Sequence, residues 1–212
     1  MSGIKFYILD TETTGLKSNY NEVNEIGIIR FDDRMQIFRN IRCLYPERAS
    51  YDALKITNKT LSDLNKGFDK EQVVNECEKF FAEDGLNPAH RCIVAHNASF
   101  DKKFCQALWQ DCGKEFPADL WLDTIQLVKH FATKNNLVDK GFRKYALHTS
   151  CDLLGVKKIS EAHNAKVDSR NTYFLFKKLL DENVNYLPFI KNNKHILQSD
   201  GRLDINDLDI DG

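Results

Sequence analysis

The sequence predicts one α/β domain around a mixed sheet, and three observations lead there. Three apolar runs without helical period come in succession at the start of the chain. Helical patterns then alternate with short apolar runs, an order that builds parallel strands beside an antiparallel meander. A chain of 212 residues suits a single sizeable core with a small appendage, and no internal repeat or low-complexity linker divides it.

The opening run, Ile4 to Leu9, is rich in β-branched and aromatic residues and reads as a buried strand. Asp10 and Glu12 stand at its C-terminal end with i, i+2 spacing, which puts both carboxylates on one face. Thr13, Thr14 and Gly15 then break the strand, and the apolar Leu16 follows in the turn. Glu25 to Phe31 and Gln36 to Cys43 are the next two strands, with Asp32-Asp33-Arg34 as a hairpin turn. From Asp52 to Asn65 the pattern is short and helical. Lys70 to Phe81 is an amphipathic helix with Val73, Val74, Cys77, Phe80 and Phe81 on one face. Cys92 to Ala95 is a brief strand. Ser99 to Cys112 is a helix with Ser99 as its N-cap and Asp101 in its first turn, where an acid suits the helix dipole. Leu120 to Thr124 is a strand end leading into a helix to about Phe131. Tyr145 to Leu154 and Asn164 to Leu180 close the body as helices.

Composition narrows the classes. Hydrophobic residues make up 42% and charged residues 29%, values of a soluble globular protein. No apolar run is long enough to cross a bilayer and no signal-peptide core opens the chain, so no membrane partner is expected. Cysteines 43, 77, 92, 105, 112 and 151 form no C-x-x-C pair and no zinc spacing, so buried free thiols in a reducing, cytoplasmic setting are expected. The net charge of -1 is uneven: the stretch 199–212 holds five Asp and one Arg, leaving a body of net +3. Any basic surface is therefore local. The most basic stretch runs from Lys129 to Lys144, with Lys134, Lys140 and Arg143 interleaved by Phe131 and Phe142, and reads as a solvated helix and loop or as a strand-binding lip. Asp200 to Asp207 matches the second half of a calcium loop, but Ile196 and Gln198 stand where its first carboxylates belong, so the tail reads as an acidic extension that shields a basic groove or docks a partner.

Two acids projecting together from a strand end repel unless a cation lies between them, and hard oxygen ligands favour Mg²⁺ or Mn²⁺ over zinc. Two further segments carry the same kind of chemistry. Asn97 and Asp101 lie where a strand passes into a helix. His163 and Asp168 open the last long helix. Five positions on an ideal helix separate two side chains by about 140°. His163 and Asp168 converge only if Asn164 is the N-cap, with the histidine in the loop before it and the acid in the first turn.

D-x-E, then N-x-x-x-D, then H-x-x-x-x-D, in this order, resembles the DnaQ-like 3′→5′ exonucleases of the DEDDh class, within the ribonuclease H-like superfamily. The resemblance runs from about Lys5 to Leu180 and includes Thr13, Thr14, Gly15 and the Cys151-x-x-Leu154-Gly155 turn. It implies an exonuclease domain over residues 1–185 and a C-terminal extension with an acidic tail over 186–212. It also implies two Mg²⁺ or Mn²⁺ ions held by Asp10, Glu12, Asp101 and Asp168, with His163 as general base. Substrate would be single-stranded or 3′-overhanging nucleic acid, DNA favoured, shortened to release nucleoside 5′-monophosphates. RNA trimming and a catalytically silent nucleic-acid scaffold are the alternatives, the second opposed by all five catalytic positions being filled. Thr13, Gly15, Leu16, Asn97 and Phe100 match positions near the terminal nucleotide. From the residues alone, Leu16 reads equally as a core leucine, and Phe100 lies on the apolar face of its helix. His96, His130 and His148 read as structural.

Overall fold

The computed structural model describes residues 4–137, 144–159 and 163–192. Within them a six-stranded mixed sheet has the order β3-β2-β1-β4-β5-β6. β1 (Lys5–Thr13), β2 (Val23–Arg30) and β3 (Gln36–Asn40) form the antiparallel meander expected from the sequence. β4 (Arg91–Ala95) pairs parallel to β1, and β5 (Leu120–Asp123) parallel to β4. β6, Lys191–Asn192, adds antiparallel to β5. Two residues are too few to leave a pattern, and this strand was not foreseen. The connectivity divides at β1, and beyond the carboxyl ends of strands at such a point open sheets form their clefts.

Strand alternation sorts the core. Tyr7 and Leu9 face α3 (Lys70–Ala82) and α4 (Ala98–Asp111), meeting Val73, Phe81 and Trp109. Phe6 and Ile8 face the other way, toward α5 (Thr124–Lys134), α6 (Leu147–Leu153) and α7 (Ala165–Asp181), meeting Leu127, Phe176 and Leu179. Asp10 and Glu12 continue the Phe6–Ile8 row and emerge on the α7 side, whereas Thr11 and Thr13 continue the row on the α4 side. Beyond Glu12, which pairs with Glu25, the register slips so that Thr13 pairs with Val23. The residue between, Asn24, forms a bulge that ends the regular ladder at the strand mouth.

The helical stretch after β3 divides into α1 (Tyr51–Thr57), which ends at a left-handed Asn58, and α2 (Leu61–Leu64), which opens with a capping box between Thr60 and Asp63. Asn164 caps α7 as expected, accepting a hydrogen bond from the Val167 amide at 2.9 Å. Ser99 does not cap α4. The N-cap position belongs to Asn97, whose backbone is left-handed (φ 72°, ψ 48°) and whose side chain makes no capping bond. The tight turn from β4 into α4 needs that conformation, which asparagine tolerates better than most residues. All six cysteines are free as expected, and Cys112 alone is not fully buried. Burial pushes the Cys43 and Cys77 thiols up to about 12 and that of Cys151 to about 11. Among the described residues no helix is long and apolar enough to cross a membrane. The Asp200–Asp207 loop match and the acidic tail lie outside the described residues, as do Lys140, Phe142 and Arg143.

One buried ion pair ties the sheet to the loop after α3. Arg91, at the start of β4, donates from Nε and Nη2 to the Asp84 carboxylate, at 2.9 and 2.7 Å. The Tyr7 hydroxyl donates to the same carboxylate, whose side chain has no exposed surface. Asp84→Ala strands the guanidinium without its counter-ion. It should lower the unfolding free energy by about 3–5 kcal/mol in urea denaturation, and a variant of wild-type stability would contradict this account.

Candidate active site

Asp10, Glu12 and Asp168 each present a carboxylate oxygen, and these oxygens lie within 4.8 Å of one another. Two features of β2 bring α7 close enough. Gly27 pairs with Asp10 across the ladder, and a Cβ there would lie 2.5 Å from the Ala165 carbonyl and 2.9 Å from Ser169 Oγ. Glycine lets the first turn of α7 lie against the strand. Glu25, opposite Glu12, accepts the Ala165 amide at 3.0 Å through Oε2 and holds the Lys59 ammonium at 2.6 Å through Oε1. One carboxylate thus joins β2, the start of α7 and the link between α1 and α2. Lys59 Nζ also donates to Asn24 Oδ1 at 3.1 Å, fixing the bulge.

His163 lies in the loop before Asn164, with Nδ1 3.8 Å from Asp168 Oδ2 and its side chain 58% exposed. The helix-start geometry read from the five-residue spacing holds. Asp101 comes from α4, on the other face of the sheet, and is 3% exposed. Its Oδ1 accepts from the Thr11 amide at 3.0 Å and the Thr11 hydroxyl at 2.8 Å. It therefore stands next to the cluster, held by the residue between Asp10 and Glu12, and is not one of the three converging acids.

Burial and mutual repulsion raise every one of these carboxyls. Asp10 is held well above the usual carboxylate range by burial first, then by the charges of Asp101, Glu12, Asp168 and Glu25. Burial, with Asp168 and Glu25, pushes Glu12 up to about 8 against the pull of Lys59. Burial takes Asp101 to about 7 against the bonds from Thr11, and Asp168 to about 6 against the charge of His163. The donor set is all oxygen and short of positive charge, which fits a hard divalent cation.

A cavity of about 1050 Å³ opens beside the acids, bounded by Thr11, Glu12, Leu16, Phe100, His163 and Ile56 of α1. Leu16 is 84% exposed, so its reading as a core leucine is set aside. Phe100 is half-buried, stacked at 4.9 Å against Phe104 while lining the cavity. Thr13 donates its hydroxyl to the Gly15 carbonyl at 2.7 Å and so holds the turn. Gly15 leaves room for Asn21, whose side chain would lie 2.6 Å from a Cβ. Asn97 is exposed, and its amide donates to Asp123 Oδ1 at 3.1 Å. His96 is structural: Nδ1 meets Thr124 Oγ1 and Nε2 meets the Tyr145 carbonyl. The sequence reading missed Glu25 and Lys59, whose roles depend on strand register and a distant loop.

The exonuclease family model (RNase_T) matches residues 7–176. The chain is 30% identical over 178 residues to the DNA polymerase III subunit epsilon of Treponema pallidum, covering 84% of this chain and 77% of that protein. It is 25% identical over 178 residues to the PolC-type DNA polymerase III of Staphylococcus haemolyticus, covering 84% of this chain but only 11% of that much longer protein. Among solved structures, cell-death related nuclease 4 superposes with a TM-score of 0.68 at 13% identity, covering 85% of this chain and 65% of the other. E. coli Exonuclease I in complex with a dT13 oligonucleotide gives 0.66 at 17%, covering 87% and 42%. At such identities the two structures establish the fold alone.

The raised carboxyls fix how pH acts on the metal-free protein. Groups whose folded pKa exceeds the unfolded value of about 4 stabilise the fold fully below that value, and the contribution is lost as pH climbs through the folded pKa. Asp168, Asp101 and Glu12 place that loss between about 4 and 8, with Glu25, Lys59, His163 and His148 facing them. In scanning calorimetry with chelator, Tm should fall over this interval. Added Mg²⁺ or Mn²⁺ should raise Tm more at the alkaline end, where the ligands are ionised. Equal metal-induced shifts at both ends would refute the arrangement.

Proposed function

The chain belongs to the exonuclease family, and on that premise we propose that it is a 3′→5′ exonuclease of the DnaQ-like DEDDh class. It removes nucleoside 5′-monophosphates from single-stranded or 3′-overhanging nucleic acid, with DNA preferred over RNA. One observation carries the reading: three carboxylate oxygens within 4.8 Å converge from β1 and α7, with the His163 ring beyond Asp168 at the edge of an open cavity. The DNA preference is supported by relatives that are named as DNA polymerase III proteins and by a similar fold solved with a dT13 oligonucleotide.

Asp10, Glu12 and Asp168 would hold two divalent cations, with the unbonded oxygen of Asp101 completing the set. Such ions, when bound, offset the negative charge gathering on phosphate and acidify water. His163 takes the proton of the attacking water on a ring nitrogen as oxygen adds to phosphorus, and Asp168 stabilises the imidazolium that results. The bond from phosphorus to the 3′ oxygen of the preceding nucleotide breaks. That oxygen takes up a proton and leaves as the new 3′ hydroxyl. Leu16 and Phe100 offer apolar surface to the terminal base. Thr13, Gly15 and Asn97 hold the turns that frame it.

Asp10→Ala should abolish turnover and lower Mn²⁺ stoichiometry in titration calorimetry; undiminished stoichiometry contradicts the assignment. His163→Ala should lose about 10²–10⁴-fold in kcat with metal and nucleic-acid binding kept. Wild-type kcat in that variant, with circular dichroism intact, removes the histidine from the mechanism. Degradation of matched DNA and RNA strands, with 5′ labels and with or without Mg²⁺, reads polarity and substrate class together.

A further inference from the structure

Behind the cavity, the β1–β2 and β3–α1 loops build a feature that the chemistry above does not use. The Arg48 guanidinium lies 3.8 Å from the Tyr45 ring centroid and 5.1 Å from that of Tyr20. Tyr20 and Tyr45 remain 52% and 44% exposed. Among the described residues the Arg48 side chain makes no hydrogen bond and no ion pair, so its charge is shared only with the two rings. Tyr20, Asn21 and Arg48 line the large cavity and also a second groove of about 450 Å³, which continues past Tyr45 along Lys103, Gln106 and Gln110 of α4. The two spaces are therefore joined across the stack.

The loops that carry the stack are stitched together. Asn21 Nδ2 donates to the Arg48 carbonyl at 2.9 Å, and the Ser50 amide donates to the Thr14 carbonyl at 2.8 Å. The Glu22 carboxylate accepts the amides of Leu44 and Tyr45 at 2.9 and 2.8 Å. That ties down one of the acids near the second groove, and Lys70 neutralises another, Asp111, at 3.1 Å. Lys17 and Lys55 at the cavity and Lys103 in the groove form no ion pair among the described residues. With Lys17, Arg48, Lys55, Lys70 and Lys103 set against Glu22, Asp52 and Asp111, the path leading away from the acidic cluster keeps an excess of positive charge, is aromatic and is held in shape before any ligand arrives, the combination that binds single strands without reading sequence.

We propose that the Tyr20–Arg48–Tyr45 stack and the groove behind it bind the strand on the 5′ side of the terminal nucleotides. Bases stack on the tyrosine rings, and Arg48 and Lys103 face the phosphates. The assignment rests on the exonuclease reading for its direction, since the 3′ end must lie at Asp10, Glu12 and Asp168.

The test compares Tyr45→Ala, Arg48→Ala and wild type on a dinucleotide and on a long oligothymidylate, with Mg²⁺. Loss of a stacking partner should raise KM for the long strand about 5- to 150-fold. The kcat on that strand and kcat/KM on the dinucleotide should stay at wild-type values. Unchanged KM on the long strand, or an equal loss on both substrates, overturns the proposal. Fluorescence anisotropy of labelled oligothymidylate in Ca²⁺ gives a second reading that needs no turnover. Weakened binding in both variants, with a salt slope smaller by about 0.7 for Arg48→Ala, supports the track even if wild type cleaves nothing, an outcome that would sink the exonuclease reading alone. Wild type that binds polyglutamate but not oligothymidylate identifies the stack as a site for an acidic protein and refutes the nucleic-acid assignment.

Discussion

Repulsion among buried carboxylates is the constraint on which the rest of this structure depends. Asp10, Glu12 and Asp168 share one corner, Asp101 stands beside them and Glu25 borders them, and each loses hydration there. Among the described residues Lys59 is the lysine built into that corner; it pairs with Glu25, and its charge offsets only part of the repulsion on Glu12. The apolar rows on both faces of β1 offset the cost. Tyr7 and Leu9 are buried on one side and Ile8 on the other, so the strand that carries the acids is gripped by the core on both faces. Asp101 shows a different solution. Anchored by two donors of Thr11, it is kept from collapsing into its neighbours while remaining next to them.

Much of this was legible in the sequence because it depends on local geometry. The i, i+2 spacing of Asp10 and Glu12 sets a common face on any strand, and the hairpin at Asp32 to Arg34 follows from the apolar runs around it. The convergence of His163 and Asp168 needed only a cap between them, and Asn164 supplies it. Features that depend on distant contacts were hidden. Glu25 meets Lys59 only after the meander has set its register and α1 has ended at a left-handed asparagine. The capture of Asp101 by Thr11 joins residues ninety positions apart. Ser99 follows a strand and precedes a helix as an N-cap should, yet the sharp exit from β4 gives that position to Asn97. The exposure of Leu16 was equally beyond reach, since an apolar residue in a turn reads the same whether it folds inward or out.

Rigidity in this protein is not confined to the sheet. The loop after β1 has little core beneath it, yet Thr13, Thr14 and Asn21 spend their polar groups on its own backbone and on the neighbouring loop. Gly15 allows that closeness, because any side chain there would displace Asn21. A loop tied in this way holds Leu16 outward without burying it. An apolar side chain so exposed would otherwise turn toward the nearest hydrophobic surface.

The distribution of thiols has a practical consequence for spectroscopy. Five of the six cysteines are sealed in the core, and Cys112 alone keeps partial access to solvent. It sits at the C-terminal end of α4, eleven residues from Asp101, or about 16 Å along the helix axis. A maleimide dye would therefore attach at one place in the native protein without any cysteine having to be removed. From there it would lie beside Asp111, at the edge of the second groove, where a change in its emission would report whatever ligand enters that groove.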